Sequence, residues 1–279
     1  MMHIGFFSAI SNVFGFLIKA NIDPNCCRTY KKNKTSKSSL PVEMALDICN
    51  SQDSHSQYTS TLPPPLPIYI PDCRSKGNMR RELREEVYLT HNSFRSFLAS
   101  GFQKNGNRSD AKNFPTASDM MLMNYDCRYE EFAHYVAKDC IKANTNYTFK
   151  YLGENNFTIE FQHHFDPYSP LTKAEIYKDI RNWWNTIIHN KPLGDDLKPT
   201  DEDTPIIPFL QMANAQTDKF GCDYEICDKQ KNKHFVSFTC FYRRPYVKVG
   251  VPLYTMGKPC GMCPPEKCVY SSLCNNTRI

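Results

Sequence analysis

The densest chemistry in this sequence sits near its C-terminal end, where four cysteines fall at Cys260, Cys263, Cys268 and Cys274. Thiolates at such spacing can hold zinc, cycle as a redox Cys-x-x-Cys pair, or staple a small module through disulfides. A zinc knuckle needs a reducing compartment, and a redox pair needs a thioredoxin-like βαβ pattern that the flanking sequence lacks. The spacing therefore reads as a disulfide-stapled module. Cys73, Cys127, Cys140, Cys222, Cys227 and Cys240 bring the run to ten cysteines, enough for five bridges whose connectivity the sequence leaves open. Cys26, Cys27 and Cys49 form an odd set upstream.

The other residues able to do chemistry are sparser. His163 and His164, flanked by Glu160 and Asp166, are the only other dense group of ligand types, and adjacent histidines in a loop are more often exposed than ligating. His91, Asn92 and Arg95 share a predicted helix, but no nucleophile or base follows at catalytic spacing, so they read as polar groups tying that helix to a neighbouring loop. No Gly-x-Ser-x-Gly, Walker, His-Glu-x-x-His or Rossmann fingerprint occurs. A net charge of +5 with 23% charged residues is too mild to argue for nucleic acid.

The compartment follows from the cysteine load and from Asn-x-Ser/Thr sequons at Asn33, Asn107, Asn146, Asn156 and Asn275. Together they point to the oxidising secretory route. Ile4 to Ile18 is apolar but too short for a comfortable bilayer span, which takes about 20 residues. It reads as a signal peptide over residues 1–20, with only His3 to charge its start. Residues 21–71 are rich in Ser, Thr, Lys and Pro, end in Leu62-Pro-Pro-Pro-Leu-Pro67, and cannot bury enough apolar surface to fold alone.

The elements that must position the chemistry begin after Cys73. Leu83, Val87, Phe94 and Leu98 recur at helical spacing and predict a helix from about Arg80 to Ala99. Tyr125, Tyr129, Phe132, Ala133, Val136, Ala137 and Cys140 predict a second helix over about Ala117 to Ala143. An aromatic stretch with Phe157, Phe161, Phe165 and Tyr168 follows. Thr172 and Glu175 form a capping box for a third helix, whose buried face is Ile176, Ile180, Trp183 and Ile187. Asn190 to Pro205 reads as a loop. Phe220–Ile226, Phe235–Tyr242 and Val247–Tyr254, rich in aromatic and β-branched residues, read as three consecutive antiparallel strands.

Gln211 to Cys222, the Phe-Thr-Cys-Phe-Tyr run at 238–242, Gly-Lys-Pro-Cys-Gly-Met-Cys-Pro at 257–264, His91-Asn92-x-x-Arg95, Tyr125-Asp126-Cys127 and Gly153-Glu154-Asn155 together carry a resemblance. They resemble the CAP superfamily of cysteine-rich secretory, antigen 5 and pathogenesis-related proteins, and within it the activation-associated, venom-allergen-like secreted proteins of nematodes. Its motif residues here are His91, Asn92, Arg95, Gly153, Glu154, Asn155, Gln211, Gly221 and Cys222.

The resemblance covers about Cys73 to Cys274. It implies an α+β fold: a three-layer α/β/α sandwich with a central three-stranded antiparallel sheet, over residues 72–255, and a cysteine-rich C-terminal extension over 256–279. In that family two His and two Glu can hold a divalent cation in a central cavity. Their positions fall here on Asn144, Glu154, Thr186 and Pro208, and one carboxylate does not make a zinc site. No metal and no cofactor is expected.

What the resemblance implies is a secreted, non-enzymatic protein of host-parasite interaction or immune modulation, acting on host extracellular proteins or cells. A sterol or fatty-acid carrier with a groove near Phe157 to Tyr168 is the alternative, and a metal-dependent hydrolase the weakest reading. Glycosylation is expected at Asn107, Asn146, Asn156 and Asn275. Neither nucleic-acid binding nor a stable membrane span is expected.

Overall fold

In the computed structural model, residues 70–74, 77–140, 147–152, 156–163, 171–228, 234–243 and 247–275 are described, those at 147–152, 156–163, 228, 234 and 235 by their backbone alone. The signal-peptide reading over 1–20 and nearly all of the 21–71 segment lie outside this set.

Helix α1, Arg81–Ala99, forms on the apolar spacing read above, with Leu83, Val87, Phe94 and Leu98 at most 6% exposed. Its end is fixed by Gly101 at φ +79°, a left-handed position that costs glycine little. The Gly101 N–H donates to Leu98 O and the Phe102 N–H to Phe97 O. The Phe97 and Phe102 rings meet at 5.7 Å, which completes a Schellman-type stop with its hydrophobic contact.

The second helix is shorter than its apolar stripe predicts. Helix α2 is Cys127–Lys138, capped by the Asp126 side chain accepting from the Arg128 N–H. Upstream, the chain is extended because its backbone finds partners elsewhere. Ser118 N donates to Thr255 O, Met121 N to Ala215 O and Leu122 N to Cys274 O. Strand β1, Asn124–Tyr125, then pairs in parallel with Lys219 and Phe220. These tertiary pairings override helical periodicity. The stripe is also imperfect, since Phe132 is 38% exposed.

Strands β2, Tyr147–Leu152, and β3, Asn156–His163, form an antiparallel hairpin where the sequence showed only an aromatic stretch. Helix α3, Lys173–Trp184, opens with the Thr172–Glu175 capping box, both reciprocal bonds present. The 3₁₀ turns Ile187–His189 and Asp201–Ile206 follow, then helix α4, Ile207–Ala213, which sequence reading missed. Strands β4, Lys219–Asp228, and β5, His234–Tyr242, complete the sheet in the order β1-β4-β5-β3-β2. Its antiparallel heart is β4-β5-β3, the three-stranded centre of the α+β sandwich, widened by β2 and the short β1.

Val247–Tyr254 is not the third strand. Gly250 turns the chain at φ +77°, and Leu253 N donates to Leu197 O in a loop contact.

Alternation along β5 sorts the layers. Phe238 stacks on Trp183 of α3 at 5.3 Å and Tyr242 meets His91 of α1, whereas Phe241 points the other way, into Ala133 and Val136 of α2. Trp184, Phe94 and Phe209 join α1, α3 and α4 through ring contacts of 5.2 and 4.8 Å. The C-terminal extension carries a hairpin, β6 Cys268–Val269 and β7 Leu273–Cys274. It docks on α1, with Ser96 and Ser272 hydroxyls 2.7 Å apart, and on the 120–122 segment through Cys274 N to Met120 O.

Candidate functional site

Three motif residues on α1 face inward and are fully buried. His91 Nδ1 lies 2.8 Å from Val87 O and its Nε2 2.8 Å from the Tyr242 hydroxyl. A carbonyl only accepts, so Nδ1 carries the proton and Nε2 accepts from Tyr242. Burial pushes His91 down to about 3, with Arg95 adding to the effect, so the ring is neutral. Asn92 grips the 121–125 segment from both sides, donating to Met123 O and accepting from Met123 N at 2.9 and 2.8 Å.

Arg95 is a hub. Its guanidinium donates to the carbonyls of Met121, Met212, Asn214, Ala215 and Thr217, at 2.7 to 3.2 Å. Burial lowers it to about 9, partly countered by Asp218 and Asp119. Asn92 and Arg95 thus tie α1 to the 121–123 segment, Arg95 also to the loop after α4, and His91 ties α1 to β5.

Two further polar clusters were invisible in the sequence. Glu130 of α2, 0% exposed, accepts from Arg84 Nε at 2.6 Å, Arg84 Nη2 at 2.9 Å and the Tyr125 hydroxyl at 2.6 Å. Burial alone would lower Arg84, but the Glu130 hydrogen bond and charge leave it raised. Tyr125 is raised by burial and by Glu130. Asp223 of β4 accepts from the Asn78 and Met79 N–H groups and pairs with His134 Nδ1 at 2.9 Å; burial raises its carboxyl. The only hint in the sequence is that Glu130 and His134 sit four apart beside the apolar stripe. Their partners lie 46 and 89 residues away.

Gly221 marks where α2 lies on β4: a Cβ there would collide with the backbone N of Glu130 and crowd Asp126 O. Gln211 is fully buried, its Nε2 3.4 Å from Thr217 Oγ1. Cys222 faces Cys240 across the β4–β5 ladder and is bonded to it. The remaining bridges are Cys73–Cys127, Cys140–Cys227, Cys260–Cys268 and Cys263–Cys274.

Of the four positions aligned with a metal cavity, Thr186 and Pro208 are described. Thr186 is 6% exposed and its hydroxyl donates to Trp183 O at 2.8 Å; Pro208 is buried at the start of α4 and has no ligand atom. These two residues do not fit a zinc site. Asn144, Glu154 and their neighbours Asn146, Gly153 and Asn155 lie outside the described residues, as do His164 and Asp166. Glu160 and His163 hold register positions on β3 opposite Thr239 and Val236, and Asn156 opens that strand. Among the described residues no group of three or more His, Cys, Asp or Glu is placed to hold a metal. Asn107 is exposed and Asn275 half-buried. No helix among the described residues is long and apolar enough to cross a membrane.

Comparison with known proteins agrees with this architecture. The model of the Cysteine-rich secretory protein family, CAP, matches residues 88–242. The chain is 27% identical over 220 residues to Venom allergen 5 of Tityus serrulatus, covering 71% of this chain and 48% of that protein. It is 27% identical over 212 residues to Ancylostoma secreted protein of Ancylostoma caninum, covering 72% and 46%. It therefore spans about half the length of these curated relatives. The crystal structure of NaASP2 with Zn2+ superposes at a TM-score of 0.57 with 27% identity, over 72% of this chain and 99% of that one. The family model spans more than half of the chain, and the chain belongs to the cysteine-rich secretory protein (CAP) family.

Proposed function

We propose that this protein is secreted and works by binding, as a disulfide-locked, non-enzymatic module directed at host extracellular proteins or cells. The observation that carries this reading is that His91, Asn92 and Arg95, the chemistry-bearing residues of the helical motif, are buried and engaged in hydrogen bonds. A general base or an electrophile needs a free lone pair or proton facing substrate, and these groups have partners instead. Five disulfides across Cys73 to Cys274 support an oxidising compartment. The domain limits follow the same reading: a signal peptide to residue 20, a non-globular segment to 71, a CAP domain from 72 to 255 and the cysteine-rich extension beyond.

One solved relative is described with Zn2+. Thr186 and Pro208 do not offer this chain the same chemistry. The test has two parts. The chain is expressed in eukaryotic cells and recovered from the medium, then examined by native mass spectrometry; next, labelled protein is titrated on host cells. Saturable binding competed by unlabelled protein is expected. A co-purifying sterol or fatty acid without cell binding favours the carrier reading, whereas retention inside the producing cell overturns the secretory one.

A further inference from the structure

We propose that Met256 and Met262 form an oxidant-reactive methionine site on the cysteine-rich extension, the first place on the described part of the domain to take up oxygen from hydrogen peroxide. Three observations converge on it. The first is exposure. Met256 is 52% and Met262 65% exposed, Met121 is half-buried, and Met79, Met120, Met123 and Met212 are at most 4% exposed. Thioether oxidation follows access of the oxidant to sulfur.

The second is the sulfur inventory. Thiolates react ahead of thioethers, but every cysteine from Cys73 to Cys274 is held in a disulfide. No thiol in this stretch competes for the oxidant, so the exposed thioethers become its softest nucleophiles.

The third is placement. Both methionines flank the same short strip of backbone. Met256 bridges Ala117, and Met262 N donates to Ser118 O at 3.0 Å. Glycines keep this approach close: a Cβ on Gly257 would lie 3.2 Å from Ser118 Cβ, and one on Gly261 would press on Lys258 O at 2.8 Å. Met262 is also enclosed between Cys260 and Cys263, each bridged to a different partner, so the chain cannot swing it inward.

The chemistry balances without any group from the protein. The thioether sulfur attacks a peroxide oxygen, an S–O bond forms as the O–O bond breaks, sulfur gives up two electrons, and the other oxygen leaves as water. An apolar side chain becomes a polar sulfoxide, and the buried methionines that hold the core are untouched. The proposal uses the extracellular reading only as the source of oxidant; its test is independent of secretion.

Purified, disulfide-intact protein is treated with stepwise hydrogen peroxide, and oxygen uptake is mapped by peptide mass spectrometry alongside thermal melting. Met256 and Met262 are expected to oxidise at least about tenfold faster than Met120, Met123 and Met212, with the melting temperature unchanged. The Met256→Leu, Met262→Leu double variant, whose exposed sites tolerate leucine, is expected to lose that fast phase. Comparable rates at buried and exposed methionines, a melting temperature that falls as the pair is oxidised, or a fast phase that survives in the double variant would each overturn the proposal.

Discussion

The imidazole Nε2 of His91 and the hydroxyl of Tyr242 lie 2.8 Å apart, 151 residues distant in sequence, and the bond fastens α1 to β5 across the centre of the domain. Phe220 flanks the same ring at 4.4 Å. A neutral histidine in such a setting is a structural acceptor, and its acid chemistry acts on folding.

The native His91 takes up its proton only near pH 3, whereas the unfolded chain takes it up near 6.5. Between these values the unfolded state binds more protons, so His91 contributes stability above 6.5 that is lost as pH falls toward 3. His91→Gln is expected to flatten the acid limb of stability against pH, read by denaturant unfolding at several pH values. An unchanged acid limb would show that the ring is not buried as a neutral acceptor. Tyr242→Phe leaves Nε2 unpaired and should cost about 1–3 kcal/mol at neutral pH.

Glu86 acts in the opposite sense. It is 1% exposed on α1, accepts from Thr90 at 3.0 Å, and burial raises it to about 7 against the favourable pull of Thr90 and Lys173. Its contribution is present below the ordinary carboxylate range and is lost as pH rises through about 7. Glu86→Gln should therefore gain stability relative to the native chain at pH 8, by roughly 1–3 kcal/mol, and change little at pH 5. Equal effects at both pH values would refute the assignment.

Arg95 is not replaceable by lysine. Five carbonyls converge on its planar fork, and an ammonium reaches only some of them, leaving buried acceptors without donors. Arg95→Lys should destabilise by about 3 kcal/mol or more, with the yield of folded protein falling in parallel. A variant that melts within error of the native protein would remove Arg95 from this role.

The contrast between elements shows what the sequence could and could not convey. α1 and α3 were legible because their stops and starts are local: Gly101 ends one, and the Thr172–Glu175 box begins the other. The sequence reads His91, Asn92 and Arg95 as polar ties from the helix to a neighbouring loop; Asn92 and Arg95 bond to loop carbonyls, whereas His91 bonds to a strand. Ala117 to Asp126 was read as helix because its apolar residues also suit the extended strip that pairs with Thr255 and Cys274, a partner more than 130 residues away. The Arg84–Glu130 and His134–Asp223 pairs were missed for the same reason: the first exists only once α2 packs against α1, the second only once α2 is laid on β4. The disulfide pairing, too, depends on which strands and helices the fold brings together.

Asn107 is expected to carry a glycan if the secretory reading holds. Its side chain is exposed in the loop after α1, while its N–H is fixed on Asn190 O at 3.0 Å, so the acceptor is presented without disturbing the core. Endoglycosidase treatment of protein from eukaryotic medium should lower its mass, and Asn107→Gln should remove one glycan's share. Secreted protein with Asn107 unmodified would refute this site while leaving the compartment intact.

The last expectation concerns zinc. A structural zinc needs four protein ligands and a catalytic one three with an open position. The family alignment offers Asn144, Glu154, Thr186 and Pro208. The Thr186 hydroxyl donates to Trp183 O within its own turn, and Pro208, buried at the head of α4, has no side-chain donor atom at all. Glu154 is left with at most the neutral oxygens of Asn144 and Thr186 for company, a set suited to a hard cation and not to zinc. Calorimetric titration of the purified protein should therefore show no zinc site tighter than about millimolar that depends on Glu154. A micromolar site abolished by Glu154→Ala would mean that other side chains take the places of Thr186 and Pro208, and the alignment of the cavity would have to be redrawn.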